Sequence, residues 1–155
     1  MAKLNQYIEK DGNVMKMIVV DGKMVMYRKF RDGRPPVVME FMPGYGENLK
    51  DEEAAYFFKF YNETALEFNK IGTSAKDVVA RLRTEIGEYS KQFDIRRVEI
   101  HRIISCGEMP AEGAESALRA ELIRQYPTAF RKNDRFFGVD ISPAVFDAVV
   151  RNYFG

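Results

Sequence analysis

Cysteine, histidine and tryptophan are nearly missing from this sequence: one Cys106, one His101 and no tryptophan in 155 residues. A single cysteine excludes an internal disulfide and fits a reducing, cytoplasmic setting. One cysteine with one histidine also excludes an internal zinc-finger site. No apolar run reaches about eighteen residues, so no membrane span is expected. The opening stretch MAKLNQYIEKDG has no apolar middle, and no secretory leader is expected from it. Repeats and low-complexity segments are absent as well.

What is present suffices for a core. Apolar residues make up 46% of the chain, which separates it from disordered tails. The length suits one ordinary domain with a small appendage. Formal net charge is only +1, but it is unevenly spread. Residues 37–67 hold seven acids and two lysines, whereas residues 1–36 hold eight basic and four acidic side chains. Such segregation can present a basic face to phosphates, and it can equally describe ordinary solvated faces.

Two Asp-Gly dipeptides organise the N-terminal third. Asp21-Gly22 lies between the apolar runs Val14–Val20 and Lys23–Phe30, and Asp32-Gly33 precedes a third run, Val37–Phe41. Asp-Gly between apolar runs signals a hairpin, because the primed turn needs positive φ at both central residues. The expectation is an antiparallel three-stranded meander over roughly residues 14–42. Its solvent face would carry Lys16, Arg28, Lys29, Arg31 and Arg34, either as a solubilising surface or as a DNA-facing arm. Residues 1–13 suggest a short helix ending at Asp11-Gly12. Pro43-Gly44-Tyr45-Gly46 breaks the chain, and Asn48 or Asp51 can cap a helical turn reaching Ala55. A boundary is expected here, between an accessory meander (1–50) and a main domain (51–155).

The main domain is organised around residues 56–81. Phe57–Tyr61 is dense in aromatic residues that suit a pleated, half-buried strand, and Asn62-Glu63-Thr64 is turn-prone. A second strand ends at Lys70-Ile71-Gly72. Thr73, Ser74 or Asp77 can cap a helix starting near Ala75. Val78, Leu82, Ile86 and Tyr89 form its buried stripe, with Lys76, Arg81 and Arg83 off that stripe. Asp94–Ser105 reads as a third strand, with Val98, Ile100, Ile103 and Ile104 inward. A helix follows from about Ala111 or Gly113 to Gln125, with Ala114, Ala117, Leu118 and Leu122 inward. Asn133-Asp134 reads as a turn and Arg135–Val139 as a short strand. Ser142-Pro143 starts a last helix with cap and first-turn proline in the preferred order.

Strand, turn, KIG, an arginine nine residues after the glycine, a third strand and a helix with an early glutamate together resemble the GIY-YIG nucleases, in their KIG-type phage and bacterial branch. The residues that carry the resemblance are Phe58–Asn62, Lys70-Ile71-Gly72, Thr73–Arg81, Ala114–Arg119 and Arg135-Phe136-Phe137. The likeness covers about residues 54–142. It implies an α+β fold, a small antiparallel three-stranded sheet flanked by helices, beside the N-terminal β meander. It implies a metal-dependent DNA endonuclease of phage or mobile-element type. On that reading Glu115 is the ligand for Mg²⁺ or Mn²⁺, Arg81 grips the scissile phosphate, and Lys70 positions water or neutralises phosphate.

The family's first motif normally supplies a tyrosine that orients the attacking water. This chain has Phe58 in that register; either Tyr56, two residues earlier on the same strand face, takes the role, or Lys70 takes it instead. Lys76, Arg83, Arg119, Arg28 and Arg31 complete the expected DNA contacts. Arg119, one helical turn after Glu115, can pair with it or touch a phosphate. One such site cuts one strand, so double-strand cleavage calls for a homodimer or sequential nicking. The missing hydroxyl at Phe58 supports an alternative, a DNA-binding or regulatory protein that does not cut. A plain α+β interaction domain is the third reading. His101 reads as a half-buried sheet histidine and Cys106 as inert.

Overall fold

The computed structural model describes residues 3–8, 14–20, 23–46, 52–75, 77–106 and 111–154. Among them are nine strands and three helices: β1 (Lys3–Ile8), β2 (Val14–Val20), β3 (Lys23–Lys29), β4 (Val37–Phe41), β5 (Ala54–Tyr61), β6 (Leu66–Ser74), α1 (Val78–Gln92), β7 (Arg97–Ser105), α2 (Ala111–Gln125), β8 (Phe130–Lys132), β9 (Arg135–Phe137) and α3 (Pro143–Phe154). The strands form one mixed sheet in the order β1-β2-β3-β4-β7-β5-β6-β9-β8. Only β4 with β7 is parallel. One face packs on α1 and the other on α2 and α3, so the class is α+β.

The central strand explains its own composition. β5, AAYFFKFY, is buried at its first seven residues. Tyr56, Phe58 and Phe60 pack with Val78, Leu82, Ile86 and Tyr89 of α1. Ala55 and Phe57 pack with Ala114, Leu118 and Leu122 of α2 and Phe146 of α3. The half-buried strand expected here is therefore covered on both sides, which is what a continuous apolar run serves. Phe60, Phe68 and Tyr89 interlock at centroid distances of 4.8–5.4 Å, inside the range of favourable ring pairs.

Three expectations need correction. The helix expected within residues 1–13 is instead β1, paired with β2 over six residue pairs. A short lone helix is marginal in water, whereas a strand added at the sheet edge shares its inward backbone groups with β2. The helical turn reaching Ala55 gives way to the buried start of β5, and Asn48 and Asp51 lie outside the described residues. The sheet is also larger than three strands, because β4 joins β7 in parallel register and β9 adds to β6. Hydrogen bonding thus continues from the meander into the central strands.

The meander arginines do not all face solvent. Arg28 is buried, and its guanidinium donates to the main-chain oxygen of Arg83. Arg34 donates to the Gly87 oxygen at 3.1 Å and to Ser90 Oγ at 2.8 Å, and lies over the Phe30 ring at 4.1 Å. Carbonyl oxygens within a helix keep a second lone pair, and these two forks use it. Arg31 is exposed in the following turn.

Asp77 starts α1, accepting from Val79 N at 3.0 Å and Ala80 N at 3.2 Å. Burial follows the expected stripe, Val78, Leu82, Ile86 and Tyr89, with one addition, Glu85. At the other end Phe93 turns extended and its N–H closes on the Tyr89 oxygen at 2.8 Å. No helix among the described residues is long and apolar enough to cross a membrane. Asp77→Ala should cost about 1 kcal/mol of stability through loss of the cap, read from urea denaturation midpoints.

Candidate functional site

The site begins with a cross-strand pair. Tyr56 on β5 stands opposite Gly72 on β6, and Phe58 opposite Lys70. The Tyr56 ring lies directly over Gly72. A Cβ at residue 72 would sit 2.6 Å from Tyr56 Cζ and closer still to its hydroxyl. The glycine of the KIG segment is therefore needed to admit the ring. Tyr56 is 1% exposed and donates to Glu85 Oε1 at 2.6 Å. Phe58 stacks on it at 4.4 Å.

Helix α1 brings Arg81 and Glu85 onto one face at i,i+4 spacing. Glu85 Oε1 is 3.3 Å from Arg81 Nε and 3.8 Å from Lys70 Nζ. Burial pushes the Glu85 carboxyl above its ordinary range, against the pull of Lys70, Tyr56 and Arg81. Burial and the neighbouring Glu85 hold the Tyr56 hydroxyl far above its usual value, so it stays protonated. Burial works against the Lys70 charge, but Glu85, Tyr89 and Asp134 outweigh it and raise its pKa. Glu85 Oε2 is buried with no hydrogen-bond partner.

The β8–β9 hairpin adds the second half. Lys132 pairs with Arg135, leaving Asn133-Asp134 as a two-residue connection, and Asn133 takes φ 55°. Ile71 N donates to the Asp134 main-chain oxygen at 3.1 Å, docking the turn on β6. The Asp134 carboxylate then meets Lys70 Nζ at 3.3 Å and Arg119 Nη1 at 3.1 Å. Glu115 on α2 accepts from Thr73 Oγ1 at 3.2 Å and shares a hydrogen bond with Asp134. Burial and then Asp134 push the Glu115 carboxyl up to about 7. Burial opposes the Asp134 charge, yet Glu115, Lys70 and Arg119 together keep its pKa below the ordinary value.

Tyr56, Lys70, Arg81 and Glu115 thus belong to one connected network, joined through Glu85 and Asp134. Beside it lies a cleft of about 590 Å³ lined by Lys70, Arg81, Tyr89, Arg119, Arg131, Asn133, Asp134 and Arg135. Five cations face one carboxylate there, a composition suited to phosphate. A second cleft of equal volume lies between Arg28, Arg34 and the C-terminal half of α1, with three cations, Arg28, Arg34 and Lys91, against Glu88.

Comparison with protein-family models, with curated proteins and with solved structures finds no match to this chain.

Among the described residues no group of three or more His, Cys, Asp or Glu side chains forms a metal cluster. Glu115 and Asp134 nonetheless fit a divalent ion. Mg²⁺ commonly takes one or two protein carboxylates and completes its shell with water and phosphate oxygens, and Mn²⁺ accepts the same ligands. Two carboxyl groups that share a proton are a pair in which a cation can replace that proton.

Of the other expected contacts, Lys76 lies outside the described residues. Arg83 is half-buried on α1. Arg119 pairs with Asp134, not with Glu115. His101 is buried, contacts Glu99 Oε1 at 3.0 Å through Nε2, and has its pKa lowered, burial being the leading cause. Cys106 is buried, its thiol pushed up to about 11, so it is inert at neutral pH.

Sequence reasoning missed Glu85, Asp134, Arg131 and Arg135. For Glu85 a signal existed: position 85 falls within the Val78–Tyr89 stripe, and a carboxylate at a core position is the informative exception. Asp134 was legible only as a turn residue.

Gly72→Ala should destabilise by about 1–3 kcal/mol, the usual cost of overpacking, and should displace Tyr56 from Glu85. Chemical denaturation with tyrosine near-ultraviolet spectra would read both. The Glu115 carboxyl holds its proton up to about 7 when folded against 4.5 when unfolded. Its contribution to stability is therefore full below pH 4.5 and falls as pH rises to about 7. The stability difference between wild type and Glu115→Gln, followed by denaturation midpoints, should shift against wild type across that window.

Proposed function

We propose that the protein is a metal-dependent DNA endonuclease of the GIY-YIG kind. The observation that carries the reading is convergence: Tyr56, Lys70, Arg81 and Glu115 come from four different elements and meet in one network beside a cationic cleft. The neighbouring strands β7-β5-β6, with β5 antiparallel to each of the other two, α1 between β6 and β7 in the chain and α2 after β7, support it as well.

Phosphodiester hydrolysis needs charge compensation, an oriented water and a proton acceptor. Arg81, more than half exposed at its side chain, offers a planar fork to the scissile phosphate. Lys70, a cleft-lining ammonium fixed between two carboxylates, neutralises a second phosphate oxygen. A divalent ion on Glu115 and Asp134 would supply charge stabilisation for the leaving oxygen. Tyr56 does not line the cleft. It pins Glu85 Oε1, and Glu85, buried and likewise absent from the cleft lining, holds Lys70 and Arg81 in place. Tyr56 is accordingly a positioning residue, and Phe58 is core.

The burial of Tyr56 and the absence of a hydroxyl at Phe58 favour the second reading, a DNA-binding protein on the same scaffold without cleavage. The two readings separate on supercoiled plasmid with Mg²⁺. The nuclease reading expects nicking that falls about 100-fold or more in Arg81→Ala and Glu115→Gln, each assayed well below its own melting temperature. Salt-sensitive DNA binding without nicking supports the second reading. Neither binding nor nicking removes both.

A further inference from the structure

Arg135 is the least compensated charge in the cleft. It is 6% exposed, and its Nη1 is buried with no hydrogen-bond partner. No carboxylate among the described residues forms an ion pair with it. Around the guanidinium stand four aromatic rings: Tyr89 at 4.9 Å, Phe68 at 5.5 Å, and Phe93 and Phe137 at 5.8 Å each. Ring faces attract a cation, but each contributes far less than a buried charge loses in leaving water. Its cross-strand partner is Lys70, another buried cation. Like charges directly opposite on a sheet repel. Lys70 is answered by Glu85 and Asp134, and Arg135 by no carboxylate among the described residues. Yet Arg135 lines the same cleft as Arg131 and Arg119.

We infer that Arg135 is a second phosphate-binding residue, held rigid by the ring cage, that takes a phosphate group next to the one gripped by Arg81. This rests on reading the cleft as a phosphate site. The missing counter-ion is supplied by the ligand, and the strain of an unanswered cation is the cost of a preformed anion site. Terminal phosphates and phosphodiesters share this chemistry, so the source is separated by experiment.

The test uses the full chain. At constant ionic strength, replacing sodium chloride by inorganic phosphate or pyrophosphate should raise the wild-type melting temperature by about 2–4 °C. Arg135→Met removes the cation but keeps an apolar stem among the rings. It should melt at or above wild type and gain markedly less from phosphate than wild type does, keeping only what the Arg81 site supplies. An Arg135→Met protein that keeps the wild-type phosphate response overturns the inference, as does one that melts well below wild type. If neither Arg135→Met nor Arg135→Lys folds, the guanidinium serves the core and the inference also falls.

Duplex DNA identifies the source. A slope of log K against log salt about one unit shallower in Arg135→Met assigns the subsite to a strand phosphate. An unchanged slope with a reduced phosphate response assigns it to a free phosphate ester. A protein that responds to phosphate through Arg135 but never nicks plasmid keeps this subsite and loses the nuclease reading. One that nicks while Arg135→Met keeps its phosphate response loses the subsite alone.

Discussion

Lys70 is the joint on which the site depends. Its ammonium is buried between Glu85 of α1, at 3.8 Å, and Asp134 of the β8–β9 turn, at 3.3 Å. A charge taken out of water is tolerated only where partners surround it, and removing one partner strands the other. Each carboxylate also holds a second cation, Arg81 on Glu85 and Arg119 on Asp134. The result is a chain of alternating charge running from α1 through β6 to the hairpin and α2. No single pair in it has great worth, but the chain fixes how these four elements stand relative to one another.

The half of the site that the sequence made legible is the half carried by periodicity. Leu82, Ile86 and Tyr89 set the phase of α1, and that phase placed Arg81 at the edge of the buried stripe. The alternation of β5 put Tyr56 and Phe58 on one face, where they stack. The other half depends on pairings between distant segments, which periodicity does not encode. Asp134 reaches Lys70 only because β9 adds to β6 at Asn69 and Lys70. The expected place of Arg28 failed for a similar reason. Alternation along β3 says which face a side chain takes, but not that α1 would be packed over that face, with main-chain oxygens for the guanidinium to meet.

Uneven charge along the chain also resolves differently from its first appearance. The basic N-terminal third does not supply the cationic cleft. Arg28 and Arg34 are spent on α1, and the cleft draws on Lys70, Arg81, Arg119, Arg131 and Arg135. These residues come from β6, α1, α2 and the hairpin, segments that carry no obvious basic run. A near-zero net charge therefore says little about phosphate affinity, because local field depends on which side chains a fold gathers and not on their sum.

Sheet order limits what the meander can do for a ligand seated in the cleft. The cleft sits at β6 and β9, and β3 lies four strand positions from β6. At about 4.8 Å per strand that separation is about 19 Å. A single phosphate group is far too small to touch both, whereas a duplex spans such a distance across its own width. Exposed Arg31, in the turn after β3, can therefore assist only if the ligand is long and lies across the strands. A ligand running along the strands, or a small phosphate ester, would leave the meander with a structural task alone: closing the α1 face of the sheet with Met26, Phe30, Val37, Met39 and Phe41. How strongly the meander contributes to binding is thus tied to the length and direction of what the cleft holds.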